Sequence, residues 1–192
     1  MLTRRHFIAT GAATITGMAA APAIAQRTYT MPQEHMPVII RVSNDWAPGE
    51  VHVDPNTYHL YLMQEKGKAI RYVVGVAKDN LYEPGEFTVG RKVEWPTWKP
   101  TPSMIERNPS YASFEDGMPG GPTNPLGARA LYLYNENGYD TALRIHGTPE
   151  PWTVMQSISN GCVRLINSHV AHLYERVPTG SRVVLHPKLP SA

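Results

Sequence analysis

A single cysteine, Cys162, lies in the run Ser159-Asn160-Gly161-Cys162-Val163-Arg164-Leu165. A thiol attacks as its thiolate, and a free thiol with a pKa of about 8.5 is only about 3% ionised at pH 7. It therefore needs a neighbour to take its proton, and an imidazole suits that task near neutrality. Gly161 removes side-chain bulk beside the sulfur and permits unusual backbone angles. Arg164, two residues on, brings a positive end to the same locality, with a structural ion pair as its plainer role. Many free cysteines are only small buried apolar groups. The polar, glycine-bearing neighbours and the export signal described below favour chemistry here.

His146 is the best partner among the histidines. It ends a predicted strand, is followed by the flexible Gly147, and begins a 15-residue connection that can fold back on Cys162. The others are weaker. His169 and His172 are three apart on a predicted helix, where a solvated face is the better reading. His52, His59 and His186 lie in or near strands with no second reactive group beside them in sequence. Serine is the competing nucleophile. Ser157 and Ser159 are close to Cys162, but neither sits in G-x-S-x-G or S-x-x-K. Ser159 reads instead as polar support for the cysteine turn. No zinc-protease, haem-attachment, Walker A or Rossmann pattern occurs, so neither a metal site nor an organic cofactor is expected.

Strands must position these groups. With 18 Pro and 15 Gly in 192 residues, a helical bundle is disfavoured and a mainly β domain expected. Candidate strands are Val38–Val42, Tyr58–Met63, Ala69–Val76, Phe87–Gly90, Leu131–Tyr134, Tyr139–His146 and Arg182–Leu185. Asn137-Gly138 marks a hairpin turn. In the strand after it, alternation puts Leu143 and Ile145 on one face and Arg144 and His146 on the other. Residues 94–122, rich in Pro, Trp, Ser and Gly, read as a long surface excursion. One short helix follows the cysteine motif, capped by Asn167 or Ser168, with Val170, Leu173 and Val177 as its apolar face.

Lys plus Arg is 18 and Asp plus Glu 16, a balance that argues against a nucleic-acid partner. The opening Thr3-Arg4-Arg5-His6-Phe7, a mildly apolar stretch and Ala23-Ile24-Ala25 read as a cleaved export signal of twin-arginine type over residues 1–25. Thr10, Gly11, Thr14, Thr16, Gly17 and Pro22 interrupt that stretch, so a lasting membrane span is not expected. The expected organisation is a lead-in and first strand over 26–57, a catalytic domain over 58–187 and a tail over 188–192.

At these residues the sequence resembles the L,D-transpeptidase catalytic domain, the YkuD family. The resemblance rests on Ile145-His146-Gly147-Thr148, on Ser159-x-Gly161-Cys162-Val163-Arg164-Leu165, and on the 16-residue offset from His146 to Cys162. Asn124-Pro125-Leu126-Gly127, Pro96-Thr97-Trp98-Lys99-Pro100 and Gly180-Ser181-Arg182-Val183 resemble further family segments. There are two departures. Asn160 stands where many members have His, and Glu83-Pro84-Gly85-Glu86 replaces the usual T-P-x-G.

The resemblance implies a β-sandwich or barrel and a peptidoglycan substrate in the periplasm. Cys162 is then the nucleophile and His146 the base, oriented by the Gly147 carbonyl. Backbone N–H groups around Gly161 would stabilise the oxyanion, while Arg164 and Asn160 would contact substrate and Trp98 and Trp152 would either line its groove or pack in the core. Stem peptides are the implied partners, with a stem or an amine-bearing envelope protein as acceptor. Hydrolysis by the same pair and a non-catalytic wall-binding module are the alternatives.

Overall fold

The computed structural model describes residues 29–65 and 67–189. The expected export signal lies outside the described residues. Eleven strands and two α-helices are present among those residues. In chain order they are β1 (Val38–Arg41), β2 (Val51–Asp54), β3 (His59–Met63), β4 (Lys68–Val73), β5 (Val76–Ala77), β6 (Gly85–Glu94), α1 (Pro102–Arg107), β7 (Arg129–Tyr134), β8 (Asp140–His146), β9 (Ser157–Ser159), β10 (Val163–Arg164), α2 (Asn167–Tyr174) and β11 (Arg182–Leu185).

Nine strands form one sheet in the order β1-β4-β3-β2-β11-β6-β7-β8-β10, and β5 pairs with β9 in a second, parallel pair. Within the large sheet only β2–β11 and β8–β10 are parallel. Apolar alternation drives the inward face. Leu60 and Leu62 of β3, Leu131 and Leu133 of β7, and Leu143 and Ile145 of β8 all join one buried cluster. Strands from both ends of the sheet share that cluster, so the sheet folds over a common core. This is the mainly β architecture expected from the sequence. The β7–β8 turn is closed by Asn135, whose side-chain oxygen accepts from the N–H groups of Asn137 and Tyr139.

Helix α2 covers the core beside β7. Val170 and Leu173 on the helix and Val177 just beyond its end are fully buried, each contributing about 1.5–3 kcal/mol. Its start differs from expectation. Ile166 occupies the cap position without a side-chain cap bond, because the Asn167 oxygen instead accepts from the Ala128 N–H at 2.9 Å. The solvated helix face is also overturned: His169 is 2% exposed, and His172 Nδ1 meets the Tyr72 hydroxyl at 2.7 Å.

The surface excursion contains a second helix, α1, against the expectation of one. Thr101 caps it by accepting from the Met104 N–H. Two strands, not one, precede residue 58. Strand β6 runs from Gly85 to Glu94, much longer than the four residues expected, because it pairs with both β7 and β11. The expected strand 69–76 breaks after Val73, where Gly75 turns to exchange two backbone bonds with Arg164 at 2.8 and 2.9 Å. A Cβ at Gly75 would come within 2.8 Å of the Thr153 carbonyl. Among the described residues, no helix is long and apolar enough to cross a membrane.

Candidate active site

Strand β10 pairs parallel to β8, with Val163 opposite Ile145 and Arg164 opposite His146. Val163 and Ile145 point into the core at 1% and 0% exposure. Cys162, one residue back in the same register, therefore shares the opposite face with Arg144 and His146. One strand spacing and two residues of rise separate the Cα atoms of Cys162 and His146 by about 8 Å. Both side chains line one groove of about 810 Å³. Ser159, Asn160, Gly161, Arg164 and Trp98 line it too.

The cysteine turn is held from within. Ser159, 2% exposed, donates its hydroxyl to the Cys162 carbonyl and accepts weakly from the Gly161 N–H at 3.4 Å. Gly161 has φ +141°, a region side chains disfavour. The sulfur lies 3.9 Å from the Ala142 carbonyl, and the Arg144 backbone N–H approaches it. Ala142 has φ +63° and interrupts the β7–β8 ladder, whose register shifts there. Its left-handed backbone aims its carbonyl at the thiol.

His146 is 3% exposed. Its Nδ1 sits 2.5 Å from the Gly147 carbonyl. Nδ1 donates to that oxygen, which in the neutral ring leaves Nε2 as the unprotonated nitrogen, and the Leu126 carbonyl also approaches the ring. Burial, and next the Arg164 charge, push the imidazole down to about 3, against the pull of the Gly147 carbonyl. Burial likewise pushes the Cys162 thiol up, outweighing the Arg144 N–H and the charges of Arg144 and Arg164. At rest the thiol and the imidazole are therefore both neutral.

Glycines allow the histidine loop to pack. A Cβ on Gly147 would collide with the Asn167 side-chain oxygen, and one on Gly127 with that oxygen and with the Gly147 backbone. Asn124, fully buried, ties the neighbouring segment before β7 by donating to the Met118 and Pro119 carbonyls at 3.0 Å each. Arg164 reaches Thr153 Oγ1 at 3.2 Å and Glu150 at 3.8 Å, while its buried Nε has no partner among the described residues. Trp98, 8% exposed, is braced by an edge contact with Tyr111 at 5.4 Å. Trp152 is 53% exposed and is not among the groove-lining residues, which corrects the expectation that it lines the groove.

Sequence reasoning missed three things. The left-handed Ala142 carries no sequence signal. The Asn167 bond to Ala128 was hidden by the expectation of a helix cap. Finally, His52 and His186 do have partners, with His52 Nδ1 3.1 Å from His186 Nε2 and His52 Nε2 3.2 Å from Glu50; only the parallel β2–β11 pairing joins them.

The family profile YkuD, the L,D-transpeptidase catalytic domain, matches residues 48–185. YqjB of Bacillus subtilis, named for L,D-transpeptidase activity, is 32% identical over 158 residues, covering 77% of this chain and 81% of its own. A Fuscovulum blasticum relative named for the same activity is 37% identical over 105 residues, and this chain spans 51% of its length. Among solved structures, a Brucella melitensis protein that carries a carnitine operon oxidoreductase name is 44% identical. Its TM-score is 0.56, over 81% of this chain and 96% of that one. An L,D-transpeptidase from Mycobacterium smegmatis shares the fold at 15% identity and TM-score 0.52, over 71% of this chain and 58% of that one. The profile spans the thiol, the imidazole and the strands that bring them together, and on that match this chain belongs to the L,D-transpeptidase catalytic domain family.

Proposed function

We propose that this protein is an exported peptidoglycan L,D-transpeptidase that works in the periplasm through a Cys162 thioester. The observation that carries the reading is the shared groove, in which the Cys162 thiol and the His146 imidazole open together while the Gly147 carbonyl fixes which ring nitrogen is bare. Family membership supports the reaction class.

In this reading the Cys162 sulfur attacks the carbonyl of the third residue of a tetrapeptide stem as His146 Nε2 removes the thiol proton. As the intermediate collapses, the carbon–nitrogen bond breaks and the His146 imidazolium passes that proton to the departing D-alanine nitrogen, leaving a thioester on Cys162. An amine then attacks the thioester, loses its proton to His146, and restores the thiol with a new amide bond. The backbone N–H of Cys162 and, once freed from its long bond to Ser159, that of Gly161 are the candidate oxyanion donors. One such donor contributes about 3–4 kcal/mol at the transition state. Arg164, Asn160 and Trp98 contact the stem along the groove.

A neutral resting pair supports proton removal concerted with attack rather than a standing thiolate. Incubation with a tetrapeptide stem or a carbapenem, followed by intact-protein mass measurement, tests the assignment. The native chain gains the acyl mass and Cys162→Ala does not; an adduct that persists in the variant defeats the role of Cys162. Purified muropeptides separate the outcomes of the second half-reaction. Cross-linked dimers mark an amine acceptor, and shortened stems mark water.

A further inference from the structure

The face that carries Cys162 also carries a cross-strand row. Arg91 of β6 is opposite Tyr132 of β7, and Tyr132 is opposite Arg144 of β8. In the same register Arg144 is opposite Cys162. Both guanidiniums lie against the one ring, Arg91 at 4.0 Å and Arg144 at 3.9 Å from its centroid. Tyr132 is only 7% exposed, so the two cations cover it.

The two arginines differ in charge balance. Arg144 is gripped by both oxygens of Asp140, at 2.6 and 3.0 Å. Arg91 is exposed, lines the groove, and has no carboxylate partner among the described residues. Lys99 and Arg107 line the same groove and likewise form no ion pair among the described residues. Against these cations the groove sets Glu83 and Glu150, and Glu150 already faces Arg164. The chain as a whole carries a formal charge of only +2, so positive charge is concentrated here. A guanidinium flattened on an aromatic ring keeps its N–H edge free for a two-pronged bond to a carboxylate.

We propose that Arg91 is a specificity-determining residue that reads a free carboxylate on the donor peptide. The proposal rests on the transpeptidase reading and narrows its substrate to an anionic stem. The Arg91 head shares a ring with Arg144, the residue opposite Cys162. Three strand spacings, about 14 Å, separate the Arg91 and Cys162 backbones, and the Arg91 head reaches back over Tyr132, so the carboxylate it binds lies within a few extended residues of the attacked carbonyl.

The test compares two tetrapeptide stems, one with a free carboxylate on its second residue and one with a carboxamide there. Equilibrium binding is measured on Cys162→Ala, with and without Arg91→Gln and Arg91→Lys. The free-carboxylate stem binds roughly 10–100-fold more tightly when Arg91 is present, as expected for a charged hydrogen bond. Arg91→Gln brings the two stems to equal affinity, and Arg91→Lys restores part of the difference. Equal binding with Arg91 in place, a preference that survives Arg91→Gln, or loss of affinity for both stems alike overturns the proposal. A separate incubation of the unsubstituted chain reads acyl-enzyme formation. Its failure with both stems would sink the transpeptidase reading, while the binding comparison still decides the role of Arg91.

Discussion

At the scale of single residues, the role proposed for His146 is to move a proton rather than to hold one. Its imidazole is pushed down to about 3 by burial and by Arg164, so it is neutral throughout the physiological range. The thiol beside it is pushed up by burial. Alkylation of Cys162 by a small neutral reagent should therefore rise with pH along a curve displaced above that of a free thiol, about 8.5. A half-maximal rate well below that value would show a standing thiolate and contradict the neutral pair. In the proposed reaction the imidazole becomes decisive once a stem fills the groove. His146→Ala should slow acylation by about 10²–10⁴-fold, the usual contribution of a positioned base, and unchanged stopped-flow kinetics would remove it from that role. Strand alternation in the sequence already put Arg144 and His146 on one face, and both line the groove with Cys162. It did not carry the sulfur's immediate surroundings, because the left-handed turn at Ala142 is set by the β7–β8 register and not by alanine.

At the scale of elements, the histidine loop depends on the first residue of α2. The Asn167 oxygen is held by the Ala128 N–H and touches the ground that Gly127 and Gly147 leave open. Asn167→Ala leaves that N–H without its partner and frees the Gly147 carbonyl that steers His146. We expect a loss of about 1–2 kcal/mol, or a melting temperature lower by roughly 2–8 °C for a domain of this size, together with slower acylation. Asn167→Asp keeps an oxygen acceptor and should recover most of the stability. Calorimetry beside single-turnover acylation separates the two effects. The strands β3, β7, β8 and β11 were legible from alternation and turn residues, each to within a residue or two. The splitting of β4 from β5 was not, because it follows from Gly75 bonding to Arg164, a partner 89 positions away that no local pattern reveals. Helix α1 was hidden among prolines that serve as helix starts.

For the whole molecule, buried histidines tie stability to acidity. His169 is lowered to about 4 by burial and by its neighbour His172, and His146 lies lower still. In the unfolded chain both return to about 6.5. Between pH 6.5 and about 4 the unfolded state binds more protons than the native one, so stability is full above pH 6.5 and falls as the pH drops through that window. His169 alone should account for on the order of 2–3 kcal/mol by pH 4.5. Urea unfolding at pH 7 and pH 4.5 measures this, and His169→Gln should flatten the slope.

The strand that presents the thiol is also the sheet's last and among its shortest. β10 has two residues, joined to β8 on one side and to the Gly75 turn on the other, with the Leu165 N–H closing onto the His146 carbonyl at 2.8 Å. Few bonds fasten it, whereas the core beneath is sealed by long strands. Amide hydrogen exchange at Leu165 should accordingly run faster than at Leu133, so that the sulfur can part from its imidazole by local fraying while the rest of the fold stays shut.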